Sequence, residues 1–410
     1  MDGRRSTLVT SLLRLRHSRR PCSILVNSKP EAGTGGSRFG RSAQRFALGC
    51  AAFALTSCIA AAPKERTDRV PVTARSTEAP LAIVVITLDG VRWHEVFEGV
   101  DPTLAAEHQL PPDAVVSARE LMPNLHAILD SHGAALGAPG HGGTISASGP
   151  NFLSLPGYAE LLSGRSATSC ADNQCVGAGV HTIIEEMSAI SPSGGDVVAI
   201  SSWSEIAKVT SLSGCRAAVS SGRHAGANRE QLAQDAEGAR LLALGENAPR
   251  GVGDPEFRPD ALTADIALHH LSARAPRFLF LGLGEPDEYA HMNDYAGYLD
   301  SMRRADARIA EVDAELTRLE ARGTRTALFV TADHGRADSF VNHGAPYPES
   351  ARVWLVAAGS AIGARGFVFA PSERKLADIA PTIRQIAHLP QSRELASGSS
   401  LNELLDGAAL

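Results

Sequence analysis

Residues 81–90 read LAIVVITLDG, and their pattern indicates the class of fold. It is a continuous apolar run, rich in β-branched residues, that ends in Asp-Gly. Such a run is typical of a strand buried on both faces of a parallel sheet. Similar runs follow at 196–203, 277–284, 326–335 and 353–360, and helical patterns lie between them, for example at 122–133 and 295–323. This alternation predicts one α/β domain built on a largely parallel sheet.

Acidic and histidine residues lie at or just beyond the carboxyl ends of the predicted strands. They are Asp89, Asp287, His291, Asp333, His334 and His343. Ligands of open α/β sheets bind beyond these strand ends, so we expect the six side chains to lie together. Three carboxylates and three imidazoles suit two borderline divalent ions such as zinc. Each residue alone also fits a turn or an exposed loop, but their joint occurrence favours a shared metal site.

One serine precedes a predicted helix in NFLSLPGYAELLSGR, residues 151–165. The run from Tyr158 onward is typical of the opening turns of a helix, and Ser154 stands just ahead of it. Serine is a preferred N-cap residue, which is one interpretation. The other is a nucleophile held where the helix N–H groups can receive an anion. The segment by itself leaves both interpretations open.

The amino-terminal 58 residues differ from the rest of the chain. Residues 1–45 contain ten Lys and Arg against two acidic residues, and the apolar run FALGCAAFALTSC follows at 46–58. A basic flank before a short apolar run is typical of a secretory signal. The ending LTSC resembles the lipobox of bacterial lipoproteins, with Cys58 as the lipidated residue; a plain signal peptide is the alternative. We therefore expect an exported lipoprotein, periplasmic or at the cell surface, anchored to a bacterial membrane.

The remaining chain divides into a linker at 59–79, which is polar and contains proline, and a folded domain at 80–405. Within that domain, the polar, Gly/Ala-rich residues 205–260 are predicted to form a cap or an excursion over the sheet edge. Without residues 1–58 the chain carries 29 Lys and Arg against 43 Asp and Glu, which disfavours binding to nucleic-acid duplexes. In an exported chain Cys170 and Cys175 can close a small disulfide loop; free thiols are the alternative.

The ordered motifs resemble those of the alkaline phosphatase superfamily, most of all its nucleotide pyrophosphatase/phosphodiesterase-like branch. They span about 81–405 and read ITLDGVR, MPNLHAIL, SLPGY, LLSGR, EPDEYAH, TADHG, NHG, DIAPTI and SGSSLNELL. The resemblance implies a three-layer sandwich with helices on both faces of a mostly parallel sheet. It also implies a partition of the metal ligands. Asp287, His291 and His343 would bind one ion, and Asp89, Asp333, His334 and Ser154 the other, with Zn²⁺ expected and Mn²⁺ as the alternative.

The same resemblance makes Ser154 the nucleophile of a phosphoester hydrolase that forms a phosphoseryl intermediate. Asn173 and the backbone N–H after Ser154 would bind phosphate oxygens of a small-molecule ester. The chain departs from the branch because that branch usually has threonine as nucleophile and an Asn-His pair after the proline, so diester preference is open. Tyr158 stands where sulfatases carry the arginine of their modification motif. A sulfatase, a headgroup or glycan phosphotransferase, and a catalytically silent binding lipoprotein are the alternatives.

Overall fold

The computed structural model describes residues 79–166, 169–175, 181–210, 215–391 and 397–407. The predicted leader at 1–58, including Cys58, and residues 59–78 of the linker lie outside them. Among the described helices, none has both the length and the apolar character needed to cross a bilayer.

Twelve strands form within the described residues, and most follow the apolar runs seen in the sequence. They are β1 Leu81–Leu88, β2 Gly133–Leu136, β3 Ile145–Ser146, β4 Val197–Ser201, β5 Ala218–Ser221, β6 Ala225–Ala227, β7 Phe278–Leu283, β8 Arg325–Thr331, β9 Arg352–Val353, β10 Leu355–Ala358, β11 Gly366–Phe367 and β12 Arg374–Lys375. Nine of them form one sheet in the order β11-β2-β10-β8-β1-β7-β4-β5-β6. The central strands β8, β1, β7, β4 and β5 are parallel, and β10 and β6 are antiparallel to their neighbours.

Twelve α-helices form within the same residues. They are α1 Trp93–Phe97, α2 Pro102–Glu107, α3 Ala118–Leu121, α4 Pro123–Ser131, α5 Ser154–Ser163, α6 Ile183–Ile190, α7 Ala207–Thr210, α8 Ala236–Glu246, α9 Asp260–Arg274, α10 Glu285–His291, α11 Tyr295–Glu320 and α12 Ile379–Ile386. Helix α11 contacts β1 and β8, α9 contacts β7 and β4, and α12 packs against α5 and α6. The structure confirms the predicted α/β fold with its large, mostly parallel central sheet.

β1 lies at the centre of the sheet because its side chains are apolar on both faces. Ile83, Val84 and Ile86 are fully buried, and β1 pairs in parallel with β7 on one side and β8 on the other. The carboxyl ends of these three strands therefore meet at one edge of the sheet. The predicted metal ligands are among the residues that follow these three strands.

The region at 205–260 differs from the predicted cap or excursion. Its strands β5 and β6 extend the central sheet beyond β4, and α8 packs against α9. Short strands such as AVSS and AGA carry too few large apolar residues to be recognised from the sequence alone. Pairing with β4 through the backbone, which needs no particular side chains, brings β5 into the sheet.

Candidate active site

An inner group of ligands lies at the ends of β1 and β8. It consists of Asp89, Asp333 and His334, all buried, with ligand atoms within 4.8 Å of one another. The Gly90 backbone N–H donates to Asp333 Oδ1 (3.1 Å), which ties the two strand ends together. Asp333 Oδ2 is buried and has no hydrogen-bond partner among the described residues. A buried carboxylate oxygen without a partner is costly, and a bound cation would satisfy it.

An outer group consists of Asp287, His291 and His343. Asp287 and His291 lie one turn apart on α10, with His291 Nε2 3.0 Å from Asp287 Oδ2. His343 Nε2 is 3.1 Å from His291 Nε2. His334 joins the two groups, because its ligand atoms also lie within 4.8 Å of those of Asp287 and His343. The structure thus brings together all six residues that the sequence placed at strand ends.

Backbone carbonyls fix two of the imidazoles in a state suited to metal binding. His334 Nδ1 lies 2.8 Å from the carbonyl oxygen of Gly335, and His343 Nδ1 lies 2.9 Å from that of Phe152. A carbonyl oxygen only accepts, so each Nδ1 donates its proton and each Nε2 keeps a free lone pair. This is the usual way in which a protein prepares a histidine ligand.

Ser154 reaches the inner group from the start of α5. Its Oγ lies 3.3 Å from Asp89 Oδ1 and 3.2 Å from His334 Nε2. The close approach of α5 to the end of β8 needs a glycine at position 157, because a Cβ on Gly157 would lie 2.3 Å from the Asp333 carbonyl oxygen. The N-cap interpretation of Ser154 is wrong. The helix begins at Ser154 itself, Leu153 is the N-cap, and the hydroxyl bonds to the ligands rather than to the helix backbone.

Burial controls the charge of the inner group. It is the largest influence that raises the pKa of Asp89 to about 7 and that of Asp333 well above its usual value. It also lowers the pKa of His334 to about 4 and that of His343 to about 3. The site thus disfavours uncompensated charge, and the carboxylates would ionise fully only with cations beside them.

Asp287 shows the opposite shift because Arg336 lies against it. Burial alone would raise the pKa of Asp287, but the Arg336 guanidinium and the hydrogen bond from His291 hold it well below its usual value. Arg336 is itself buried, and its guanidinium also donates to the carbonyl oxygens of Phe340 (2.6 Å) and Val341 (2.7 Å). Sequence reasoning missed this residue, although it follows the TADHG motif directly.

Tyr158 is a second residue whose role sequence reasoning missed. It lies one turn after Ser154 on α5, is buried, and its hydroxyl donates to Asp89 Oδ2 (2.9 Å). Oδ1 of the same carboxylate accepts from Ser154, so Tyr158 orients Asp89 toward the nucleophile. The spacing of four residues within a helix was the available signal, since such residues share a face.

Asn173 lies at the mouth of the site, in the loop closed by the disulfide between Cys170 and Cys175. Its Oδ1 accepts from the backbone N–H of Leu155 (2.9 Å), the residue after Ser154. The two groups predicted to bind phosphate are therefore neighbours, and in this structure they bond to each other. Asn173, Ser154 and the outer ligands line one pocket, together with Trp203, Phe257, Gly284 and Glu288.

The donor set fits divalent metal ions. It offers carboxylate oxygens, imidazole nitrogens with free lone pairs and one serine hydroxyl, which are ligand types of zinc and manganese. The unpartnered Asp333 Oδ2 and the convergence of both groups on His334 support the same conclusion.

Comparison with known proteins supports this description. Residues 257–391 match the family model of the metalloenzyme superfamily, a superfamily of enzymes, and the match implies divalent metal ions. The matched range contains five of the six predicted charged and histidine ligands. Only Asp89, and with it Ser154, lies outside.

Two curated relatives are each described as a 2,3-bisphosphoglycerate-independent phosphoglycerate mutase. That of Natronomonas pharaonis is 40% identical over 85 residues, which cover 20% of this chain and 15% of the relative. That of Cereibacter sphaeroides is 30% identical over 165 residues, which cover 38% of this chain and 30% of the relative. The chain thus spans less than a third of the length of these curated relatives.

Among solved structures, a mutant of the alkaline phosphatase PafA has a similar fold. Its TM-score is 0.51 at 10% sequence identity, and the match covers 80% of this chain and 100% of PafA. At this identity the likeness concerns the fold, which is alkaline-phosphatase-like.

Proposed function

We propose that this chain, which matches the metalloenzyme superfamily in sequence and has an alkaline-phosphatase-like fold, is a metal-dependent phosphoester hydrolase with Ser154 as its nucleophile. One observation carries the proposal. Ser154 Oγ lies within 3.3 Å of both Asp89 Oδ1 and His334 Nε2, two of the ligand atoms of the inner group. A serine hydroxyl is a weak nucleophile at neutral pH, and contact with a metal site is one of the ways to activate it.

The inner group of Asp89, Asp333 and His334 would hold one ion, and Asp287, His291 and His343 the other. Bound there, divalent ions supply Lewis-acid stabilisation of the negative charge on the phosphate oxygens and on the serine oxygen. His334 Nε2 and Asp89 Oδ1 lie against the Ser154 hydroxyl, so an ion held by them would lie beside the oxygen that must lose its proton. Tyr158 keeps Asp89 in that position, and Gly157 allows α5 to bring the hydroxyl close.

The reaction would proceed in two displacements at phosphorus. Ser154 Oγ forms a bond to phosphorus while the ester P–O bond breaks, and the alcohol leaves with a proton. Water then attacks the phosphoserine, the P–Oγ bond breaks, and the serine hydroxyl is restored. The Leu155 N–H and the Asn173 amide, which bond to each other in this structure, would turn to the phosphate oxygens of the substrate.

Phosphoryl transfer to an acceptor other than water is the second candidate. The curated relatives are described as phosphoglycerate mutases, and the first displacement would be common to a mutase, a phosphotransferase and a hydrolase. A sulfatase is the third candidate, but Tyr158 occupies the position of the arginine in the sulfatase modification motif and is used here to bind Asp89. A silent binding protein would not need a serine hydroxyl against buried metal ligands.

Trapping of the phosphoserine tests the proposal. The metal-loaded protein is incubated with p-nitrophenyl phosphate and its bis-p-nitrophenyl diester, acid-quenched and examined by intact-mass analysis. We expect the wild type to carry a phosphate adduct after the monoester and a p-nitrophenyl phosphate adduct after the diester, because the first displacement breaks only one ester bond, and Ser154→Ala to carry neither. Both esters should be cleaved, with a modest preference for the diester. The control is Ser339→Ala, at an exposed serine between His334 and His343.

Three results would contradict the proposal. They are equal labelling of the Ser154→Ala protein, faster turnover of a sulfate ester, and a formylglycine mass at position 154. Metal analysis of the same samples distinguishes Zn²⁺, which we propose, from Mn²⁺, and a metal content near zero would favour the silent binding protein.

We also propose that Cys58 carries a lipid that anchors the protein to a bacterial membrane after export. The basic flank and the LTSC ending support this proposal. Acyl chains contribute about 0.8 kcal/mol per buried CH₂, so Cys58→Ala should move the protein from the membrane fraction to the soluble fraction. Continued sedimentation of Cys58→Ala with membranes would contradict it.

A further inference from the structure

The pocket beside Ser154 contains three side chains that the phosphoryl chemistry does not use. Trp203 follows β4, Phe257 precedes α9, and Glu288 lies on α10 next to the outer ligand Asp287. Phe257 is buried, whereas Trp203 and Glu288 are partly exposed. These residues face the space that a substrate must enter, so their chemistry bears on which ester the site accepts.

Glu288 differs from the other acidic residues of α10. Glu285 pairs with Arg304, and Asp287 binds Arg336 and His291. The Glu288 carboxylate accepts no hydrogen bond and forms no ion pair with the rest of the described chain. Lys208, which donates to the carbonyl oxygen of the pocket residue Asn173, pairs with Glu205 and not with Glu288.

The aromatic ring of Phe257 lies close to this carboxylate. A Cβ on Gly253 would be 2.9 Å from Phe257 Cγ and 3.0 Å from the carboxyl carbon of Glu288. A Cβ on Gly284 would be 2.9 Å from Phe257 Cε2. Both glycine backbones thus lie close to the ring, and the carboxylate lies near it. Trp203 adds a second aromatic side chain to the same pocket.

Two aromatic rings and a carboxylate without a partner fit one ligand chemistry best. An anionic group would be repelled by Glu288, and a neutral alkyl group would cover the carboxylate without giving it a partner, which is unfavourable. An ammonium group satisfies the carboxylate and is attracted to aromatic faces, and a quaternary ammonium needs no hydrogen-bond acceptor.

We infer that the substrate is a phosphate ester whose organic group carries an ammonium charge, as in esters of choline or ethanolamine, and that Trp203, Phe257 and Glu288 bind that group. The inference rests on the proposed phosphoester chemistry of the same site. Neither the metal ligands nor Ser154 would select such a group, because they contact only the phosphate.

Two substrates of the same shape, one with a positive charge and one without, isolate the effect of that charge on kcat/KM. Phosphocholine is compared with 3,3-dimethylbutyl phosphate, which has the same shape and no positive charge, and the p-nitrophenyl diesters of both are compared in the same way. We expect kcat/KM to be at least about tenfold higher for the charged compound than for its uncharged isostere. The comparison is made with whichever pair, monoesters or diesters, the enzyme turns over. Glu288→Gln should remove most of this preference, and Trp203→Leu should lower it in part.

The matched control is Glu256→Gln. It removes the same charge from a neighbouring exposed glutamate that pairs with His224 outside the pocket, so the ratio should stay at the wild-type value. Equal kcat/KM for both members of the pair in the wild type, or a full preference retained by Glu288→Gln, would overturn the inference while leaving the hydrolase proposal intact.

Absence of turnover of every phosphate ester would instead contradict the proposed hydrolase function. In that case, calorimetry of the metal-loaded Ser154→Ala protein still tests the inference. Tighter binding of phosphocholine than of 3,3-dimethylbutyl phosphate supports it, and equal binding overturns it.

Discussion

The inner and outer ligand groups have the same residue types but different surroundings. In the inner group, the side chains of His334 and Asp333 are 0% exposed and that of Asp89 is 5% exposed. In the outer group, the His291 side chain is 44% exposed. The inner group is enclosed by β1, β8 and α5, whereas Asp287 and His291 of the outer group stand on α10 and His291 is the exposed ligand. The comparison suggests that the inner group fixes the nucleophile and the outer group admits the substrate.

The two groups also balance charge differently. In the outer group a protein cation, Arg336, lies against Asp287 and lowers its pKa. In the inner group the described residues offer no such cation to Asp333, whose pKa is raised. The inner carboxylates therefore depend on metal ions for their ionisation more than Asp287 does. Three experiments test this difference between the two groups.

The largest effect is expected from Asp333→Asn. The asparagine can still accept from the Gly90 N–H, so the fold should persist, but the inner group loses an anionic ligand. We expect turnover to fall by roughly 10³-fold or more and one metal equivalent to disappear from elemental analysis. Asp338→Asn, at an exposed position on the following loop, is the control. Two bound metals in Asp333→Asn would show that Asp333 is not a ligand.

A smaller and reversible effect is expected from His291→Ala. This ligand is partly exposed, so its loss removes little packing. Because it would be a direct ligand, its loss should weaken binding of the outer ion by at least the roughly 10- to 100-fold that loss of an outer-shell partner costs. Excess metal should then restore most of the activity, unlike in Asp333→Asn. His132→Ala is a matched control, since His132 is 40% exposed and also pairs with a carboxylate, Asp313. If excess metal does not restore the activity of His291→Ala, the outer group does not differ from the inner group in how readily its ion can be replaced.

The smallest effect is expected from pH. The raised pKa of Asp89, about 7, means that the metal-free protein holds a proton there below pH 7 and must release it to bind an ion. Affinity of the inner ion should fall as pH decreases through 7, by up to about tenfold per unit for one proton. Asp287, with its lowered pKa, adds no such dependence in this range, but the hydrogen bond to Asp287 raises the pKa of His291, so the outer group also releases a proton when it binds an ion. Calorimetry of the His291→Ala protein at pH 8 and pH 6 isolates the inner ion, and an unchanged affinity of that ion would contradict the prediction.

The sheet and its ligands were predictable from local patterns. Continuous apolar runs such as 81–90 identify strands buried on both faces, and parallel strands bring their carboxyl ends to one edge. Asp89, Asp333 and His334 follow such runs directly, so their sequence positions were enough to predict that they meet. The edge strand β6 was not predictable, because AGA has no pattern that distinguishes it from a loop.

The contacts that adjust the site were not predictable in this way. Arg336 lies against Asp287, 49 residues earlier in the chain, and Tyr158 bonds to Asp89 across 69 residues. The flanking sequence places Tyr158 on the same helix face as Ser154 and Arg336 directly after the TADHG motif, but it does not indicate Asp89 or Asp287 as their partners. The same holds for Glu288, whose lack of a partner becomes visible only when all neighbouring basic groups have been placed.

The sequence was enough to predict the α/β class, the strands that form the centre of the sheet and the set of metal-ligand types, because burial and hydrogen bonding of the backbone impose periodicities that can be read locally. The folded structure was needed to show that Ser154 is the first residue of a helix rather than its cap, that Arg336 balances the charge of Asp287, and that Glu288 lies beside Phe257 without a partner. These features depend on distances between residues far apart in the chain, and on the desolvation that burial brings, which no local pattern encodes.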